Sequence, residues 1–386
     1  MQLVIFTVTM MYFSSIVCNE PTIGPFPKAV LKECTTKTNR WHWWRRTRSP
    51  NTEVLSEETA ARRALLRKQR VKRTKFAMLL AYVGQRYFGF QRNPGVKTIE
   101  EDLLLALFKI GYINEEILNN PRLIRLERAS RTDKGVSALG QVVSLKLPVN
   151  ASLDDINAHL SPEIQAVALV KVTQGFSSRT YANARSYSYT MPTYAFAHHT
   201  TDSSSSFLMS EKLRERIDAI LRLFVGFHSF HNFTAGKTPL ESSAFRTIID
   251  FICGESFILD DTEFVTLRIK GKSFMLHQIR KMIGLVIAIM RGLATPETLK
   301  KSLEHTVLNL PLAPSIGLML EKVHYMHYNR KYGRDGIHAT LHWSKWRKEV
   351  DLFKKKLIMP VLIKAEREKS MLTWLDQLNS HNFTTQ

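Results

Sequence analysis

The sequence predicts an α+β fold. Strand-like and helix-like segments alternate in mixed order, without strict βαβ repetition, and they do so over two stretches alike in kind. With 386 residues the chain exceeds what one compact core usually needs and suffices for two modest subdomains. The boundaries read from composition are 1–72, a basic extension; 73–173 and 174–330, two mixed units; and 331–386, a basic helical extension.

In the first unit "KFAMLLAYV" (75–83) reads as a buried strand. "KTIEEDLLLALFKIG" (97–111) reads as a helix, with Thr98 and Glu101 at capping-box spacing and Gly111 at its end. "RLIRLERAS" (122–130) and "QVVSLKLPV" (141–149) are strand candidates on either side of "RTDKG". A short helix at "SLDDINAHL" (152–160) and a strand at "IQAVALVKV" (164–172) complete the unit.

The second unit opens with "RSYSYTMPT" (185–193), a strand with alternating Tyr, after which "TTDSSSSF" (200–207) is a polar loop. An amphipathic helix follows at 210–226 with Ser210 as its cap, then strands at "FRTIIDFI" (245–252) and "EFVTLRIKG" (263–271). "MLHQIRKMIGLVIAIMRG" (275–292) is a strongly apolar helix bearing Arg280 and Lys281. "TPETLKKSLE" (295–304) is a helix with Thr295 as cap, Pro296 at its first position and Glu297 at the positive end of its dipole. "PSIGLMLEKVHY" (314–325) gives a last strand, and the tail holds Trp343, Trp346, Trp374 and the run Lys354, Lys355, Lys356. The apolar stripe of such a tail docks on the body, leaving a lysine face for solvent or a phosphate backbone.

Lys and Arg outnumber Asp and Glu by 55 to 34, a net charge of +21. That excess argues for a polyanionic partner, nucleic acid first and an anionic membrane surface second. Cys18, Cys34 and Cys253 are widely spaced, which argues against a disulfide framework or a cysteine zinc site and for a reducing compartment. His198 with His199, and His228 with His231, lack the carboxylate or Cys partners of a metal motif. Residues 1–18 are apolar and uncharged but have neither the positive flank of a secretion signal nor a comfortable membrane-spanning length. The basic stretch 61–73 suits a nuclear address, an RNA-binding arm or a solvated leader, and the Arg-rich, acid-poor segment 40–48 suits an organelle address equally well. Nucleus is the first expectation and mitochondrion the second.

Asp133 is the residue that composition does not explain. Asp-Lys-Gly between two strands is a good turn, with Asp bonding locally and Gly135 supplying positive φ. A turn needs no ring of positive charge, yet Arg128, Arg131 and Lys134 surround this one. An ionised carboxylate on a loop, positioned by a cation, is a nucleophile candidate. Arg280, a charge within an apolar helix face, demands a partner. Tyr187 suits either core packing or stacking on a base.

These residues carry a resemblance. "RASRTDKGVSALGQVVSLK" resembles the signature segment of the tRNA pseudouridine synthase A family, in the form of its eukaryotic pseudouridine synthase 1-like branch. "AYVGQRYFGFQRN", "ARSYSYTMPTYAF", "GFHSFHNFT", "GKSFMLHQIRKMIG" and "APSIGLMLEKVHY" also resemble family segments, in the family's order, over residues 75–328. The resemblance implies two α/β subdomains sharing a largely antiparallel mixed sheet around a basic central cleft. It implies Asp133 as nucleophile toward a target uridine, at carbon 6 of the base or at the anomeric carbon of the ribose. It implies Arg280 as partner of Asp133, Tyr187 as the residue that stacks on uracil and helps remove the carbon-5 proton, and Arg131 as a ligand of the flipped nucleotide. Leu318 and Lys237 are implied near the substrate. The implied partner is tRNA, and with it other structured RNA such as mRNA or snRNA; neither a cofactor nor a metal is implied. A stable membrane association is not expected, and the oligomeric expectation is a monomer or weak dimer. A carboxylate-pair glycosidase would need a second placed acid and leaves the charge unexplained. A catalytically silent RNA-binding protein is the remaining alternative.

Overall fold

The computed structural model describes residues 71–200 and 207–384. Its strands are β1 (Arg73–Tyr82), β2 (Glu127–Arg128), β3 (Ser137–Pro148), β4 (Ile164–Lys171), β5 (Ala184–Pro192), β6 (Gly226–Ser229), β7 (Phe245–Leu259), β8 (Thr262–Gly271) and β9 (Leu318–His324). The helices are α1 (Ile99–Lys109), α2 (Glu115–Asn119), α3 (Leu153–His159), α4 (Glu211–Arg222), α5 (Gln278–Met290), α6 (Pro296–Leu303), α7 (Met326–Tyr332), α8 (Arg347–Phe353), α9 (Met359–Arg367) and α10 (Ser370–Asn379). The expectations for 1–70, among them Cys18, Cys34 and the basic leader, and most of the loop at 200–207, lie outside the described residues.

One sheet organises these elements, in the order β4-β1-β3-β9-β5-β8-β7-β6, with β2 added to β3. Every pairing is antiparallel except β3–β9, where Ser137 meets Met319 and Ala138 meets Leu320 in parallel. That seam joins the two sequence halves. A Cβ at Gly140 would stand 2.3 Å from the Glu321 carbonyl oxygen, so the two backbones approach this closely only over glycine. The predicted α+β class and the shared, largely antiparallel mixed sheet are what the chain forms.

Local chemistry explains the elements that the sequence marks. Thr98, Ser210 and Thr295 each accept a backbone N–H in the first turn of their helix, as N-caps do. The reciprocal half of the Thr98 capping box is absent from the observed bonds, because Glu101 pairs with Arg92. Helix α5 is apolar all round and buried beyond its first turn, as such a pattern requires. Each fully buried Leu or Ile there stabilises the fold by about 1.5–3 kcal/mol.

Two local expectations are corrected. "RLIRLERAS" is a 3₁₀ turn at Pro121–Ile124, then a left-handed Arg125 (φ +49°), and only two residues of strand. Proline at the turn's first position pre-sets φ, and the alternation in this stretch does not match its burial, since Leu123 is exposed. β3 begins at Ser137 rather than Gln141, because its first residues pair with β9. "GFHSFHNFT" contains a short edge strand, β6, followed by a 3₁₀ turn at His231–Phe233. His228 and His231 bond the carbonyls of Val225 and Thr306.

Candidate active site

Asp133 lies in the loop Ala129–Val136, between β2 and β3. Val136 N–H donates to the Asp133 carbonyl (3.1 Å), closing a turn whose third residue is Gly135 at φ +81°. A side chain at Gly135 would be strained there and would also meet Ser315 Oγ at 2.5 Å. The loop is pinned from several directions. Phe90 N–H donates to Thr132 O, Gly135 N–H donates to Tyr87 O, and the Tyr82 and Thr132 hydroxyls bond at 2.8 Å. The fully buried Gln141 holds Ser130 twice, accepting from its N–H (3.2 Å) and donating to its carbonyl (2.8 Å). The loop is thus a rigid platform built on β1 and β3.

The Asp133 carboxylate faces the start of α5. His277 Nε2 stands 3.9 Å from Asp133 Oδ2. His277 is the N-cap residue of α5 and adopts a left-handed conformation (φ +64°, ψ −3°) that costs a non-glycine residue energy. The positive end of the helix dipole points the same way. Burial raises the Asp133 carboxyl above its ordinary value; the charges of His277 and Arg280 and a hydrogen bond from the His277 backbone work against that rise without cancelling it.

The two halves of the sheet meet at a cavity of about 590 Å³, a size typical of small-molecule sites. Among the described residues, Arg128, Arg131, Arg179, Arg185 and Arg246 line it against two acids, Glu127 and Asp133. Two buried donors on its wall, Arg246 Nε and Gln278 Nε2, have no partner among the described residues. Buried donors of that kind are what an oxygen-rich ligand satisfies.

Asp133, Tyr187, Arg131 and Leu318 share this cavity. Tyr187, from β5, bonds Ser130 Oγ at 2.6 Å and packs edge-on against Phe274 (5.3 Å between ring centres). Burial raises its phenol above the ordinary tyrosine value. Arg131 is exposed on the rim. Leu318, the first residue of β9, presents an apolar surface.

Arg280 is close enough for its charge to favour ionised Asp133, but its Nε donates to Ala313 O at 2.6 Å, and the group paired with Asp133 is His277. Lys237 is not in the cavity wall; it pairs with Glu241. Lys354 reaches Glu321 at 3.7 Å, and Glu321 accepts from Ser188. Alternate residues of a strand face opposite sides, so Ser188 and Lys354 lie across the sheet from Tyr187. Lys355 and Lys356 are exposed on a single π-helical turn, Lys354–Ile358.

Sequence reasoning missed His277, Ser130, Gln141 and the half-buried Arg185, which donates to Ala129 O and Lys272 O. Ser130 and His277 each stand inside a quoted motif, but nothing local marks which partner they meet.

A family model described as tRNA pseudouridine synthase matches residues 220–326. The pseudouridylate synthase 1 homolog of Mus musculus is 40% identical over 365 residues, covering 93% of this chain and 85% of its own length. The Homo sapiens pseudouridylate synthase 1 homolog is 44% identical over 313 residues, covering 80% of this chain and 73% of its own. The tRNA pseudouridine synthase 1 of Yarrowia lipolytica is 30% identical over 381 residues, covering 76% and 71%. With a carboxylate, a tyrosine and an arginine-lined cavity at the seam of one sheet, and with relatives matched along most of its length, the chain belongs to the tRNA pseudouridine synthase family, in the branch of the pseudouridylate synthase 1 homologues.

Proposed function

We propose that this chain isomerises specific uridines of tRNA, and of other structured RNAs such as mRNA or snRNA, to pseudouridine, with Asp133 as nucleophile. The observation that carries the reading is the meeting, in one arginine-lined cavity, of an Asp carboxylate from one half of the sheet with a Tyr hydroxyl from the other. Asp133 adds to the uridine at carbon 6 or at the anomeric carbon, and the N1–C1′ bond breaks. The uracil turns while Tyr187 and Leu318 hold it, and carbon 5 bonds to C1′. The carbon-5 proton leaves by way of Tyr187 and N1 takes up a proton, so the reaction balances with no co-substrate.

The arginines answer the other demand, which is to extract a base from a folded RNA. Guanidinium groups bind phosphates bidentately and stack on bases, and Arg131 on the rim suits the flipped nucleotide. Arg280 sustains the charge of Asp133 from within α5, and Lys237 and Lys354–Lys356 lie outside the cavity wall, where exposed members track the RNA backbone. The basic run 61–73 supports a nuclear address, with mitochondrion second; a fluorescent fusion of the full chain tests it.

Incubating the purified protein with an unmodified tRNA transcript tests the reading. It predicts pseudouridine at defined positions. Tight binding without product would leave a silent RNA-binding protein on the same scaffold.

A further inference from the structure

A neutral phenol is a poor base. Tyr187 is 5% exposed, and burial holds its proton on. For its oxygen to take the proton of carbon 5, its own proton must leave in the same event. The structure supplies a route. The Tyr187 hydroxyl lies 2.6 Å from Ser130 Oγ, a short contact for two hydroxyls. Ser130 is itself half-buried on the cavity wall, three residues before Asp133. Its placement is over-determined for a loop serine, because the fully buried Gln141 grips both its N–H and its C=O. A buried amide used to fix one loop residue by both backbone groups indicates that the side chain must be held in place.

We propose that Ser130 is the hydroxyl through which Tyr187 sheds its proton, with Gln141 as the clamp that keeps the two oxygens in contact. The inference rests on the reading that Tyr187 receives the carbon-5 proton. The step balances. The C5–H bond breaks and its electron pair restores the uracil ring; the proton bonds to Tyr187 Oη. The original Tyr187 proton passes to Ser130 Oγ, and the Ser130 proton passes through water in the open cavity to N1, where restoring the ring has left the electron pair. Both hydroxyls end neutral, so no buried phenolate forms. Ser130 acts through Tyr187 and is a positioning residue. Other charged groups face Tyr187 too: Arg185 from its own strand favours the phenolate, and Asp133 from the loop opposes it.

The experiment uses the full chain, a tRNA transcript with uridine or 5-deuterouridine, and single-turnover rates. Ser130→Ala should slow product formation by roughly 10²-fold, the scale of one lost acid–base contribution. Deuterium at carbon 5 should then slow it further, by more than in the native protein. Ser130→Thr keeps a hydroxyl and should recover most of the rate and the native isotope effect. RNA affinity should stay unchanged in both, which separates this outcome from misfolding. Native rates in Ser130→Ala, or a slowed rate with no added isotope effect, would overturn the role of Ser130 while leaving that of Tyr187 intact. A native rate in Tyr187→Phe would overturn the underlying reading instead.

Discussion

Two acids withdrawn from solvent, Asp133 and Glu263, meet opposite fates in this molecule. Glu263, on β8, is 8% exposed, and its carboxylate accepts from Ser256 Oγ (2.6 Å), Met209 N–H (2.7 Å) and Thr193 Oγ1 (2.8 Å). Burial works to raise its carboxyl, but those three bonds outweigh burial and hold it below its ordinary value. Asp133 has a 17% exposed side chain, one imidazole at 3.9 Å, a single backbone bond from His277 and a net upward shift. Glu263 is a finished structural joint. Asp133 is left with fewer protein partners than Glu263. Under-satisfaction, more than burial, separates the carboxylate proposed as nucleophile from the structural one.

Exchanging each acid should break the pair in opposite ways. Asp133→Ala, the largest expected effect, should remove product by roughly three orders of magnitude or more while RNA affinity holds, measured by pseudouridine mapping and filter binding. Next, Arg280→Ala should lower the rate by about 10². It also removes a charge that holds the Asp133 carboxyl down, so the acid limb of the pH–rate profile should move to higher pH. Glu263→Ala should leave two donors, Ser256 Oγ and Met209 N–H, with no acceptor, while Thr193 Oγ1 keeps the backbone carbonyl of residue 263 at 3.2 Å, and should cost about 2–5 kcal/mol of stability by denaturant titration. Its turnover at low temperature should stay near native.

Smaller effects sharpen the contrast. Replacing Lys355 and Lys356 should flatten the salt dependence of RNA binding by about one unit of slope per lost phosphate contact. Asp133→Asn should slightly raise the melting temperature at neutral pH. A carboxyl whose folded value lies above its ordinary 3.8 is a burden on the fold when ionised. That burden is absent below the ordinary value and complete above the folded one, so the gain should vanish in acid.

The sequence displayed Asp133 because a turn needs only its own neighbours: Asp, Lys and Gly announce it, and the surplus arginines flag it. Helix caps at Thr98, Ser210 and Thr295 were legible for the same local reason. The family resemblance brought Tyr187, Arg280, Arg131 and Leu318 to the site, and the structure gathers three of them with Asp133 around one cavity, while Arg280 acts from behind. Pairings across the fold were not legible. Ser130 meets Tyr187 over 57 residues of chain, and His277 takes a left-handed conformation that only a glycine would have advertised. The break at Pro121–Arg128 was hidden by an apolar alternation that burial does not follow.

In the proposed reaction Asp133 bonds covalently to the nucleoside during turnover. Rapid acid quench of enzyme in excess over tRNA transcript, followed by digestion and mass spectrometry, reads it directly. An ester on the peptide containing Asp133 should rise and decay as pseudouridine appears, and should be absent in Asp133→Asn. An adduct on a different side chain, or pseudouridine formed at the native rate by Asp133→Asn, would contradict it.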